Sequence, residues 1–166
     1  MIHGCPLSRR GIVLLFSVLM VGGRMCAGEE PSAEEAAVVK ARAAYAGTWK
    51  LVAVEANGDT QPQDARQILV VNHPDGSWIL TIDGDEVSSG RSRMDPLANP
   101  AEIDLEFTGG EGKGQRLLAI YEVMGRRRVL CFRDEKGWRP REFRTQVGDG
   151  AVLLSFERQA TSPDSP

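Results

Sequence analysis

The sequence predicts an all-β fold: an antiparallel up-and-down barrel of about eight strands, preceded by one short N-terminal helix. Two observations predict the sheet. Apolar and polar residues alternate over short segments from residue 48 onward, most clearly where Ile103, Leu105 and Phe107 alternate with acidic residues. Turn-forming pairs such as Asn57-Gly58 and Asp83-Gly84 separate these segments, as expected for hairpins. Short strands of this kind are typical of an antiparallel barrel or of a sandwich, and a closed barrel would also remove the exposed edges of the sheet.

The predicted elements follow one another in a simple order. Residues 33–46 are rich in Ala, Glu, Lys and Arg and predict a helix of about three turns. Ser32 and Glu35 have the spacing of a capping box at its start, and Gly47 ends it. Nine segments then have the strand pattern, so we expect one to be a short edge piece: 48–55, 68–72, 77–82, 86–93, 102–107, 116–123, 127–132, 142–147 and 151–158.

The chain divides into four parts, of which only one is a folded domain, because 166 residues suit a single core. Residues 1–28 combine Arg9-Arg10, an apolar run and small residues at 26–28, which predicts a cleaved secretory signal peptide. A retained membrane-anchoring N-terminus is the alternative. Residues 29–46 form a leader and the short helix, residues 47–158 the barrel, and residues 159–166 a polar tail that we expect to be disordered.

Charge and cysteine content restrict the possible partners. The formal net charge of −3 becomes −6 when the three arginines of residues 1–28 are removed, which disfavours binding to nucleic acid. The sequence therefore predicts an exported protein of the periplasm, cell envelope or extracellular space, with membrane contact only through the uncleaved signal peptide. Cys5 and Cys26 leave with that peptide, so Cys131 stays alone and no internal disulfide is expected.

Several motifs spread along the chain carry a family resemblance. Gly47-Thr48-Trp49 opens the first strand and Phe156-Glu157-Arg158 closes the last, as in lipocalin-like (calycin) barrels. Further matches at Ile103-Asp104-Leu105, Ile120-Tyr121-Glu122 and Arg139-Pro140 make residues 45–158 similar to an uncharacterised family of exported lipocalin-like domains known mainly from planctomycete bacteria. The resemblance implies the barrel fold, an envelope location and a structural signature of Gly47, Trp49 and Arg158. It implies no activity.

The signature has a physical basis. A guanidinium over an indole ring contributes about 0.5–2 kcal/mol, depending on its desolvation. Such a pair would join the first and last strands where the barrel must close. We therefore predict that Trp49 is buried and that Arg158 lies near its ring.

No motif indicates catalysis, a cofactor or a metal, so the sequence predicts a protein that is not an enzyme. His73 precedes Pro74 in a predicted turn and is expected to be solvated, and Cys131 is expected to be a buried, unreactive thiol. Residues 109–114 and 83–86 resemble a phosphate loop and a calcium loop only in part, and hairpin turns are favoured for both. Residues 126–128 are three arginines, read as a solvated turn or as an anion-docking point.

Two functions stay open. The first is a binding module that holds a small apolar molecule in the barrel, with Trp78 and Tyr121 facing the cavity and Arg139 and Glu142 near its opening. The second is a filled barrel that docks an envelope protein through its loops, such as residues 133–141 around Trp138. An accessible apolar cavity would favour the first function, and a solid interior the second.

Overall fold

The computed structural model describes residues 31–63, 65–133 and 138–160. The predicted signal peptide and residues 161–166 of the predicted tail lie outside the described residues. One helix precedes nine strands: α1 (Ala33–Tyr45), β1 (Gly47–Ala56), β2 (Asp59–Pro62), β3 (Ile68–Asn72), β4 (Ser77–Ile82), β5 (Asp85–Asp95), β6 (Glu102–Gly110), β7 (Arg116–Met124), β8 (Arg127–Arg133) and β9 (Ala151–Arg158).

Eight of these strands form a closed antiparallel barrel, which confirms the predicted fold class. Each of β3 to β8 pairs with the next strand along the chain, and β1 pairs with both β3 and β9, so the ring is complete. The strand β2 pairs only with the end of β1 and stands outside the ring. The architecture is an up-and-down, lipocalin-like barrel, the fold that the family resemblance implies.

Helix α1 packs against the barrel. Its capping box is present: the Ser32 hydroxyl accepts from the Glu35 amide at 3.2 Å, and the Glu35 carboxylate accepts from the Ser32 amide at 2.8 Å. Arg42 donates to the carbonyl oxygen of Ser92 on β5 at 2.9 Å. Tyr45, the last helical residue, is 4% exposed and belongs to the barrel core. The helix is thereby tied to the barrel wall and contributes to its interior.

One predicted strand is wrong and one real strand was not predicted. Residues 142–147 are not a strand; they lie in the connection between β8 and β9. The short edge piece is instead β2, which has no apolar side-chain pattern and is fully exposed. It forms because Asn57 and Gly58 both have positive φ (54° and 81°), the backbone that a tight hairpin turn requires.

The connection between β8 and β9 covers part of the outside of the barrel. Ile120 and Cys131 are paired on β7 and β8 and are only 1% and 0% exposed, although the side chains next to Cys131 on β8 line the interior. The backbone of Arg144 hydrogen-bonds the Cys131 thiol, and Arg139 donates to the carbonyl oxygen of Ala119 at 2.5 Å. Two apolar layers therefore exist, one inside the barrel and one beneath this connection.

Candidate functional site

The barrel interior contains a cavity of about 320 Å³. Its wall is built from alternate residues of the strands, because in a strand every second side chain points to the same face. Most of the wall is apolar, and its polar side-chain groups belong to Tyr45, Asn72, Trp78 and Arg128. The lining residues are Tyr45, Leu51, Ile68, Val70, Asn72, Trp78, Leu80, Ile82, Leu105, Phe107, Leu117, Arg128, Leu130, Phe132, Leu154 and Phe156.

Trp78 fits into this wall because the residue opposite it on the neighbouring strand is a glycine. It pairs with Gly90 on β5, where an added Cβ would lie 2.5 Å from the indole ring and 2.0 Å from the carbonyl oxygen of Glu106. Phe107 pairs with Gly90 from β6, so the two rings meet across the glycine, edge to face, with centroids 4.8 Å apart. Gly90 thus allows a tryptophan to stand inside a barrel of only eight strands and still leave a cavity.

Arg128 lies inside the barrel and is 1% exposed. The reading of residues 126–128 as a solvated turn is therefore wrong for Arg128, although Arg126 and Arg127 are exposed. Its guanidinium carbon lies 4.4 Å from the ring centroid of Tyr45, 4.7 Å from that of Trp49 and 4.2 Å from that of Phe156. Three aromatic faces thus surround one buried positive charge.

The aromatic rings do not fully compensate that charge. Removing an ion from water costs several kcal/mol, whereas a cation–π contact contributes about 0.5–2 kcal/mol and such contacts are not additive. Burial lowers the pKa of Arg128, and the nearby charge of Arg158 acts in the same direction. An arginine nevertheless stays protonated at neutral pH. Among the described residues that line the cavity, Arg128 is the only charged one.

Unpartnered hydrogen-bond donors are concentrated on the same wall. Among the described residues, three buried side-chain polar atoms have no hydrogen-bond partner: Nε1 of Trp78 and Nε and Nη1 of Arg128. All three are N–H donors, and both residues line the cavity. Buried donors of this kind normally have a partner, so the wall is suited to a molecule that brings acceptor oxygens.

The predicted contact between Trp49 and Arg158 is confirmed. Trp49 is 0% exposed, and the guanidinium carbon of Arg158 lies 4.1 Å from its ring centroid. Arg158 also donates to the carbonyl oxygens of Ala44 and Ala46, both at 2.5 Å, while Nε1 of Trp49 donates to that of Tyr45 at 2.8 Å. The pair therefore satisfies the free carbonyls at the end of α1 and joins the helix to the first and last strands.

The four predicted ligand residues lie in three different places. Trp78 lines the interior cavity. Tyr121 is in the core beside Tyr45, with ring centroids 5.3 Å apart, and is not part of the cavity wall; burial raises its pKa to about 12. Arg139 and Glu142 lie on the connection between β8 and β9, where they line a separate surface pocket of about 300 Å³ with Trp138. The structure thus does not bring these four residues together.

Arg139 holds the β8–β9 connection against β6. Its Nε lies 2.8 Å from the Glu102 carboxylate, its Nη2 lies 2.5 Å from that of Asp104, and it donates to the Ile103 carbonyl oxygen at 3.1 Å. Burial would raise the pKa of Asp104, but hydrogen bonds from Arg116 and Arg139 outweigh it and hold that pKa below its usual range. Glu142 is exposed and pairs with Arg144 at 2.8 Å.

The other residues considered for chemistry lie in turns or in the packed interior of the fold. His73 is exposed in the β3–β4 turn, as predicted. Cys131 is 0% exposed, which confirms that the thiol is buried, and burial raises its pKa to about 11. Residues 83–84 and 111–114 are hairpin turns, and the Asp83 carboxylate accepts from the Gln67 amide at 2.8 Å and from Arg66 at 3.1 Å. Within the described ranges, no group of three or more His, Cys, Asp or Glu side chains is placed to hold a metal ion.

In comparisons with known proteins, no protein-family model, curated protein or solved structure matches this chain. In the described part of the chain, no helix is both long enough and apolar enough to cross a membrane.

Proposed function

We propose that this protein is an exported, non-enzymatic binding module that holds one small apolar molecule inside its barrel. The observation that carries the proposal is the cavity of about 320 Å³ with its nearly continuous apolar wall. Ligand sites are typically concave, mostly apolar and equipped with a few polar groups that fix orientation. Trp78 and Arg128 supply such groups. The signal-like pattern of residues 1–28 supports export.

A second candidate is a module that docks an envelope protein through its loops. Trp138 favours it, because this tryptophan is 76% exposed on the β8–β9 connection, and tryptophans often anchor protein contacts. The docking function predicted from the sequence is that of a barrel with a filled interior. The interior cavity favours the ligand-binding function instead.

Val70 and Val71 offer a matched test of the binding proposal. They are adjacent on β3, but Val70 lines the cavity, and Val71 points to the opposite face of the strand. We expect Val70→Phe to weaken binding of the uncharged apolar dye N-phenyl-1-naphthylamine at least about tenfold, because the larger ring takes up space that the dye needs. Val71→Phe should bind the dye as the wild type does.

The measurement is a fluorescence titration of the folded full-length protein with the dye, after circular dichroism has shown that both variants fold. If the dye does not bind the wild type, or if the two variants bind it equally well, the interior is not the binding site. In that case a binding partner for Trp138 becomes the better account.

A further inference from the structure

We propose that the molecule in the cavity carries a carboxylate, and that this carboxylate pairs with Arg128. The inference rests on the proposed function, since it specifies the chemistry of a molecule held in the barrel. It also gives the three arginines of residues 126–128 different roles: two remain in solvent, and one provides the charged group of the binding site.

The first argument is electrostatic. Arg128 is 1% exposed and lines an otherwise almost wholly apolar cavity. Among the described residues, no Asp or Glu lines this cavity. A buried charge is normally paired with an opposite charge or with hydrogen-bonding groups. Among the described residues, the guanidinium has three aromatic faces and no carboxylate in contact, so a carboxylate on the ligand would supply the missing counter-charge.

The second argument comes from a comparison of two arginines at the same end of the barrel. Arg158 also lies against Trp49, but its two terminal nitrogens donate to the carbonyl oxygens of Ala44 and Ala46. Arg128 shares the ring of Trp49, yet its Nε and Nη1 have no acceptor within the described chain. The architecture therefore satisfies the arginine that closes the barrel and leaves donors free on the one that faces the interior.

The third argument is that the unpartnered polar groups are all hydrogen-bond donors. Nε1 of Trp78 and the two Arg128 nitrogens are all donors, and both residues line the same cavity. A carboxylate offers only acceptor oxygens and a negative charge, which complements such a wall. Because Nε and Nη1 of Arg128 are both buried, the guanidinium has to turn toward the cavity when the carboxylate binds.

The test compares octanoate with 1-octanol, two probes of equal chain length that differ in charge. We expect the full-length wild type to bind octanoate about 10- to 100-fold more tightly than 1-octanol at pH 7, as measured by isothermal titration calorimetry. Arg128→Met, which keeps an unbranched apolar side chain, should bind both probes with similar affinity. Arg127→Met removes the same charge from the exposed neighbouring position and should keep the wild-type preference.

The outcomes separate this inference from the function on which it rests. If the wild type binds neither probe, both proposals fail. If it binds the two probes equally, the cavity is a binding site but the inference about the carboxylate is wrong. If Arg127→Met loses the preference as fully as Arg128→Met does, the effect comes from general charge and the inference is again wrong. Should Arg128→Met not fold, the wild-type comparison together with Arg127→Met decides the question.

Discussion

Arg158 lies where the first and last strands of the barrel pair and where the helix joins them. It contacts the Trp49 ring and donates to two carbonyl oxygens at the end of α1. It lies at the end of β9, opposite Trp49 on β1, so one side chain links the first strand, the last strand and the helix. A positive charge at a helix C-terminus also complements the helix dipole.

Replacement of Arg158 should therefore destabilise the fold. We expect Arg158→Met to lower the free energy of unfolding by about 2–4 kcal/mol, because it removes a cation–π contact and two charge-assisted hydrogen bonds. Urea denaturation followed by tryptophan fluorescence measures this change. Arg127→Met is the matched control, since Arg127 is exposed. Equal unfolding midpoints for the two variants would show that the closing contact contributes nothing.

Arg128 shows that the sequence could not decide which face of β8 points into the barrel. Residues 127–132 were predicted to be a strand, and strand alternation alone would place Arg128 on the same face as Leu130 and Phe132. The opposite face carries Val129 and Cys131, which is equally apolar because the β8–β9 connection covers it. With two apolar faces, the pattern could not show which one pointed inward. The neighbouring arginines made solvent exposure the simpler prediction.

At the scale of elements, the described residues of the β8–β9 connection, 138–150, form no helix or strand but make many specific contacts. Arg139 joins it to β6, and Thr145 joins it to the β1–β2 hairpin by donating to Glu55 at 2.8 Å and accepting from the Gly58 amide at 2.9 Å. These contacts explain why residues 142–147 are not a strand. Phe143, Thr145 and Val147 alternate as strand residues do, but Thr145 is an anchor and Val147 is 87% exposed.

The anchoring role of Arg139 gives a prediction for this connection. Arg139→Met should lower the free energy of unfolding by about 2–3 kcal/mol, because Glu102 and Asp104 each lose their contact with it. It should also speed tryptic cleavage after Arg141 and Arg144. Arg141→Met is the control for stability, since Arg141 lies on the same connection and is exposed. Urea denaturation and limited proteolysis measure the two effects, and indistinguishable variants would contradict the role assigned to Arg139.

At the scale of the whole molecule, the sequence was informative about the barrel and much less so about its contents. Short alternating segments with hairpin turns predict an antiparallel barrel or sandwich, and Trp49 with Arg158 predicts where a ring would close. The cavity depends on side-chain volumes around the ring, such as Gly90 beneath Trp78, which alternation does not reveal. Tyr121 was expected at the cavity but packs against Tyr45, because the helix brings that second ring into the core.

The central claim is that the barrel holds one small molecule, and native mass spectrometry tests it most directly. The folded full-length protein would be incubated with octanoate, 1-octanol and N-phenyl-1-naphthylamine, and Val70→Phe would be treated in the same way. We predict one small-molecule adduct per wild-type chain, lost on denaturation and strongly reduced in Val70→Phe. A bare wild-type mass with every probe, or an equal adduct on Val70→Phe, would contradict the claim.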